Sequence, residues 1–289
     1  MGYYSRLKKA FEGAVLLPLN SHTKYVLFSD CHRGTGTVND NFLKNKALYL
    51  AALQYYFFHN FTYIELGDGD ELWENRHISQ IQETHKEVFQ LHSFFKAQGR
   101  FFMLYGNHNM AMADTCHESI ILETTVSNNI TSLRSGFLQT GYTGIRKICL
   151  THGHQTELLN SSLWPLSGFL VRHIWKPLER YGISDPTSAA KNYKRKKKAE
   201  QRLHRFAERE NIMLITGHTH RPFLSEQDLY HCNCGSCVHP YSITCIEIQQ
   251  MHISLIKWSM TPGKNMALYV TRSVLAGPVS LTTPANLIF

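Results

Sequence analysis

The sequence predicts an α/β fold, and three observations carry that prediction. Five short apolar runs of strand length each stop at a small residue followed by Asp, Asn or His. Helix-length amphipathic stretches separate the first three of them, as βαβ crossovers require. The 289 residues are 43% hydrophobic and 12% aromatic, enough to bury a sizeable core.

The first run, KYVLF (24–28), ends at SDCH, the second, YIEL (63–66), at GDGDE, and the third, RFFMLY (100–105), at GNHN. Between them, residues 40–60 and 77–99 carry apolar side chains at helical spacing, the second stretch closing on Gly99 as a C-cap. KICL (147–150) then ends at THGH and IMLI (212–215) at TGHTH. Runs without polar alternation fit strands covered on both faces, and ligands of such sheets sit beyond the carboxyl ends of the strands. The polar clusters are therefore expected to converge on one edge of one sheet. Beyond residue 215 the texture changes to SITCIEI and HISLIKW, which read as antiparallel strands.

The strand-end residues are Asp30, His32, Asp68, Asn107, His108, His152, His218 and His220, in a chain with 17 histidines. Imidazole mixed with carboxylate suits Zn, Fe or Mn, whereas Mg and Ca sites are built from oxygen. Eight candidates exceed one ion's needs; two ions sharing a carboxylate account for them. His218 and His220 stand two apart, so on an extended segment both face the same side.

In the order D-x-H, G-D, G-N-H, H-G-H, G-H-x-H, from Tyr25 to about Pro222, the sequence resembles the calcineurin-like metallophosphoesterases. That resemblance implies a four-layer α/β/β/α sandwich and a dinuclear hydrolase. It implies that Asp30, His32, Asp68 and His220 hold one ion, that Asp68 bridges to a second held by Asn107, His152 and His218, and that His108 stabilises the phosphoryl group or acts as general acid. Catalytic roles thus fall on His108, Asn107 and Asp68. Arg33, Asn109 and His154 are candidates for contacting substrate, Arg33 through a phosphate. Two departures from the family pattern stand out. The third motif ends in Asn109 where an acid is usual, which is expected to orient His108 without charging it and so to leave its pKa lower, with Asp114 a candidate substitute. In the second motif Glu71 takes the usual Asp position.

The formal charge of +8 is concentrated between residues 191 and 205, whose eight Lys or Arg and one Glu leave about +1 for everything else. With the aromatic stretch before it, this reads as a helical insertion or lid over 155–210 within a single domain of 1–289. The bland reading of the same stretch is an ordinary helix with a solvated face. An insertion at this place, and GDGDELW, are similar to the UDP-diacylglucosamine pyrophosphatases of the same superfamily. Expected partners are a phosphorylated small molecule or a nucleotide-lipid substrate, with a peripheral anionic membrane contact through 155–205. A nuclease would need a broader basic groove. A non-catalytic module binding nucleic acid or anionic lipid is the alternative of another class.

Seven cysteines, an odd number and sparse, read as reduced thiols of a cytoplasmic protein peripheral at most to the inner face of the membrane. No stretch approaches a membrane span, and the N-terminus has no convincing signal-peptide core. Cys232, Cys234 and Cys237 admit a zinc site or simply a loop after the last histidine motif.

Overall fold

A computed structural model describes residues 2–37, 40–124, 147–161, 164–171, 193–263 and 267–282. Helix α1 (Tyr3–Ala10) and strand β1 (Val15–Pro18) lead into β2 (Lys24–Phe28), α2 (Lys46–Phe58) and β3 (Thr62–Glu65). Then come α3 (Ile78–Thr84), α4 (Lys86–Ala97), β4 (Phe101–Met103), β5 (Ser119–Glu123) and β6 (Lys147–Thr151). Two short helices, α5 (Leu158–Ser161) and α6 (Trp164–Leu170), precede the long α7 (Tyr193–Glu210). Five strands complete the order: β7 (Met213–Thr216), β8 (His231–Asn233), β9 (Ser242–Gln249), β10 (His252–Pro262) and β11 (Leu268–Ser280).

All five apolar runs form strands, but in two sheets rather than one. The first three lie side by side in parallel within a six-stranded sheet of order β11-β10-β9-β2-β3-β4. The last two are parallel neighbours in a five-stranded sheet of order β1-β5-β6-β7-β8. The expectation of a single sheet fails because a doubly covered strand reads the same whether a helix or a second sheet covers it. The antiparallel texture after residue 215 is the β9-β10-β11 meander.

Period-two alternation builds the layers. Along β2, Tyr25 and Leu27 enter a core shared by the two sheets, opposite Ile148, Leu150 and Ile215. Val26 and Phe28 point the other way, onto Leu48, Leu53 and Tyr56 of α2 and Val88 and Phe95 of α4. On the far side, Cys149 and Leu214 meet Leu7 of α1 and Leu203, Phe206 and Ala207 of α7. The order is helix, sheet, sheet, helix: a four-layer α/β/β/α sandwich. Each fully buried Leu, Ile or Phe contributes roughly 1.5–3 kcal/mol.

Two helical expectations change in detail. Residues 77–99 hold two helices rather than one. His85 breaks them at φ −116° and ψ 34°, where its Nε2 meets Asp40 Oδ2 at 2.9 Å. Gly99 does close α4, at φ +67°. The expected insertion over 155–210 also shrinks, because α7 buries Ala199, Leu203, Phe206 and Ala207 and is part of an outer layer. Of the rest of the expected lid, α5 and α6 are short helices, and 162–163 and 172–192 lie outside the described residues. No helix among the described residues is long and apolar enough to cross a membrane.

Candidate metal centre

The strand-end loops form a cradle because the backbone turns sharply as each strand finishes. Ten described non-glycine residues have positive φ, and five of them are Asp30, His32, Asp68, His218 and His220. Asp and His tolerate this left-handed region better than most side chains, yet it still costs about 1–3 kcal/mol per residue. Such strain persists only where the surroundings enforce it. Here the loops after β2 and β3 stay zipped beyond the strands, with the Asp30 amide donating to Gly67 O at 3.1 Å and the His32 amide to Asp68 O at 2.9 Å. The His218 amide donates to Asp30 Oδ2 at 2.9 Å, and His152 Nδ1 donates to Leu66 O at 2.9 Å, so the two sheets are tied together at the site.

Close approach also dictates two glycines. A Cβ on Gly106 would overlap the Asp68 carboxylate, and one on Gly217 would overlap the Ser29 hydroxyl and the Asp30 carboxylate.

The described side chains gather into three groups whose donor atoms lie within 4.8 Å of one another: Asp30, His32 and His220; Asp68, His152 and His218; and His32, Glu71 and His108, where Glu71 bridges the two imidazoles. Asp68 stands between the first two, its Oδ2 3.1 Å from His152 Nε2 and 3.8 Å from His32 Nε2. His32 Nε2 and His220 Nε2 face each other at 3.3 Å. Two nitrogens each about 2.1 Å from one ion fall at roughly that separation. His152 Nδ1 is spent on a backbone carbonyl and His32 Nδ1 on Glu71 Oε2 at 2.8 Å, which leaves both Nε2 atoms for ligation.

Three buried polar atoms of this set accept or donate no hydrogen bond: Asp30 Oδ1, Asn107 Oδ1 and His152 Nε2. Asp30 Oδ1 is 3.0 Å from His220 Nε2 and still makes no bond of normal geometry, which suits two ligands aimed at a common cation rather than at each other. Leaving such atoms unsatisfied would cost about 1–3 kcal/mol each. The donor set fits divalent metal ions.

Electrostatics agree with that fit. Burial opposes ionisation of Asp68, but the neighbouring His152 and His108 hold its carboxyl well below the usual carboxylate range. Burial likewise opposes ionisation of Glu71, yet His108 and His32 bring it down to about 2.

His108 is oriented by Glu71, not by Asn109. Its Nδ1 lies 2.7 Å from Glu71 Oε1, and its ring stacks on Trp73 with centroids 4.1 Å apart. Burial would lower the His108 pKa, but Glu71 and then Asp68 raise it overall, opposite to the expectation drawn from Asn109. Asn109 is buried and shapes the loop, its Oδ1 accepting from the amides of Gly106 at 2.6 Å and Asp68 at 3.3 Å. Asp114, the other candidate for that charge, is exposed.

Arg33 is also corrected. It is 0% exposed, with Nε 2.7 Å from Asp70 Oδ1 and its terminal nitrogens on both oxygens of Glu65, so every nitrogen is engaged and the side chain is closed off from a substrate phosphate. His154 is buried behind the ligands, its ring 5.6 Å from that of His152, and burial pushes its pKa down; it contacts no substrate from there.

Sequence reasoning missed three participants. Glu157 Oε2 sits 3.3 Å from His218 Nε2, and Trp73 covers His108. Glu200 on α7 accepts from Thr219, between the two ligand histidines, at 3.1 Å. Glu157 follows the H-G-H motif by three residues and Trp73 ends GDGDELW, so proximity to the motifs was the available signal. The zinc reading of the cysteines fails: Cys232 and Cys234 enter the core between the sheets while Cys237 faces α2 on the other side.

No protein-family model matches the sequence, and no curated protein matches it. Among solved structures the chain is similar to Vps29 of Chaetomium thermophilum, at 10% identity and a TM-score of 0.38 over 87% of this chain and 96% of that one. The same protein complexed with a RaPID-derived cyclic peptide matches at 10% identity and a TM-score of 0.35, over 88% and 95%. A likeness this slight has no bearing on activity.

Proposed function

We propose that the chain is a metal-dependent phosphoesterase that uses two divalent transition-metal ions, Mn, Fe or Zn, to hydrolyse a phosphate ester or pyrophosphate. The observation that carries this reading is the Asp68 carboxylate standing between two imidazole-carboxylate groups, each with a buried donor atom left unsatisfied. One carboxylate shared by two ligand sets is what a dinuclear site requires.

In this reading Asp30, His32 and His220 hold one ion and Asn107, His152 and His218 the other, with Asp68 common to both. Bound there, such a pair would supply Lewis acidity and a nucleophilic water acidified toward neutral pH. Glu71 fixes His108 through Nδ1, so its transferable proton is at Nε2, available to the leaving oxygen. Trp73 packs against the same imidazole and shields one of its faces from water. His108 in its cationic form also stabilises negative charge growing on the phosphoryl oxygens. The residues that hold substrate are not those named from sequence, since Arg33, Asn109 and His154 are occupied or buried. A nucleotide-lipid substrate draws on 172–192 and gains no support from the described residues.

The test combines elemental analysis of the purified chain with hydrolysis of p-nitrophenyl phosphate and bis(p-nitrophenyl) phosphate, for the protein and for Asp68→Ala. Two ions per chain and hydrolysis lost in the variant are expected. The absence of both bound transition metal and hydrolysis with added Mn would sink the catalytic reading and leave a binding module.

A further inference from the structure

The outward face of α7 serves no purpose in the site. Ala199, Leu203, Phe206 and Ala207 form its buried stripe. On the opposite side, at the i, i+3, i+4 spacing of one helix face, stand Lys194, Lys197, Lys198, Arg202 and Arg205. With Tyr3 and Tyr193 these side chains line an open groove of about 720 Å³, and no acidic residue lines it. Arg202 lies over the Tyr3 ring, 5.1 Å from its centroid, and Tyr193 is 67% exposed. Like charges one turn apart on a helix repel. Five of them with no carboxylate among them form a face that an anionic partner would relieve.

We propose that this face is a docking surface for an anionic phospholipid bilayer. The cations come from a single straight helix face, which lies flat on a plane; a nucleic-acid duplex would draw them from several elements around a concave track. Exposed apolar side chains also stand on α5 and α6. Leu158 of α5 is 52% exposed and Phe169 of α6 55%, and α5 packs on the turn at His154–Thr156 that also contacts α1 and α7. Apolar groups beside a basic stripe suit the headgroup boundary, where rings and short aliphatic chains insert and lysines meet lipid phosphates. With the charge of 191–205 set aside the rest of the chain sums to about +1, so most of the net positive charge comes from the segment that carries this face. The proposal is independent of whether the metal centre hydrolyses anything.

The test is co-sedimentation of the full chain with vesicles of mixed phosphatidylglycerol and phosphatidylcholine, against vesicles of phosphatidylcholine alone. Binding to the anionic vesicles only, weakening as salt rises, is expected. The triple variant Lys194→Glu, Lys198→Glu, Arg205→Glu should bind at least about tenfold more weakly. The triple variant Lys44→Glu, Lys86→Glu, Lys96→Glu makes the same change of charge at exposed positions of the opposite helical layer and should bind like the unsubstituted chain. If the first variant melts early, the same three positions changed to Gln are read instead. Equal loss in both triple variants, no binding to anionic vesicles, or retention of a DNA duplex without retention of vesicles overturns the proposal.

Discussion

Two regions of this molecule carry residues at metal-ligand spacing, and the fold treats them in opposite ways. The strand-end histidines and aspartates, scattered over nearly two hundred residues, end within a few ångströms of one another. Cys232, Cys234 and Cys237, confined to six residues, are divided between the inter-sheet core and the layer beneath α2. Sequence proximity is therefore a poor guide to convergence. What brings ligands together is that each sits just past the end of a strand whose neighbours end at the same level, while the cysteine cluster begins in β8 and leaves the strand at once, so that Cys232 and Cys234 stay in the inter-sheet core and Cys237 crosses to the layer beneath α2.

Removing the shared carboxylate should break this contrast most severely. Asp68→Ala is expected to lower hydrolysis on the order of 10³-fold and to reduce bound metal, read by steady-state kinetics and elemental analysis. Next, Gly106→Ala pushes a methyl group into the Asp68 carboxylate, and metal content should drop with activity, by roughly 10–100-fold. Glu71→Gln keeps the shape but removes the charge between His32 and His108; kcat should fall about 10–100-fold, with metal affinity affected less than in Asp68→Ala. On the other side of the comparison, Cys234→Ala should leave metal content untouched and cost about 1–2 kcal/mol in denaturant unfolding, as a small cavity in the inter-sheet core. Metal lost along with Cys234 would restore the zinc reading of that loop.

Much of the site was legible in the sequence because its chemistry demands particular residue types at strand ends. The ligand candidates Asp30, His32, Asp68, His152, His218 and His220 come together in the structure as groups able to hold metal. The partners of those residues were not legible. Arg33 follows the first motif directly, and nothing in its neighbourhood foretells that Glu65, the last residue of β3, and Asp70 would claim every nitrogen. Glu71 and Asn109 exchanged expected tasks because hydrogen bonding depends on side-chain direction at ångström scale, which motif order does not encode. For the fold, period and length identified β2, β3, β4, β6 and β7, whereas β1 and β8 are short edge strands that leave little pattern to read. Strand pattern alone did not separate the two sheets, because burial on both faces hides what does the burying; the two-sheet sandwich was legible only through the motif resemblance, which implied the four layers that the structure shows.

Each group proposed to hold an ion takes members from both sheets, Asp30 and His32 with His220 in one, and Asp68 with His152 and His218 in the other. Bound ions would thus act as rivets across the seam between the sheets, and the molecule's resistance to heat becomes a function of metal supply. With free ion at a hundred times its dissociation constant, each independent site adds about 2.7 kcal/mol to the folded state. Chelation should accordingly lower the melting temperature by loosening the seam, while the two outer helical layers keep their own grip on the sheets they cover.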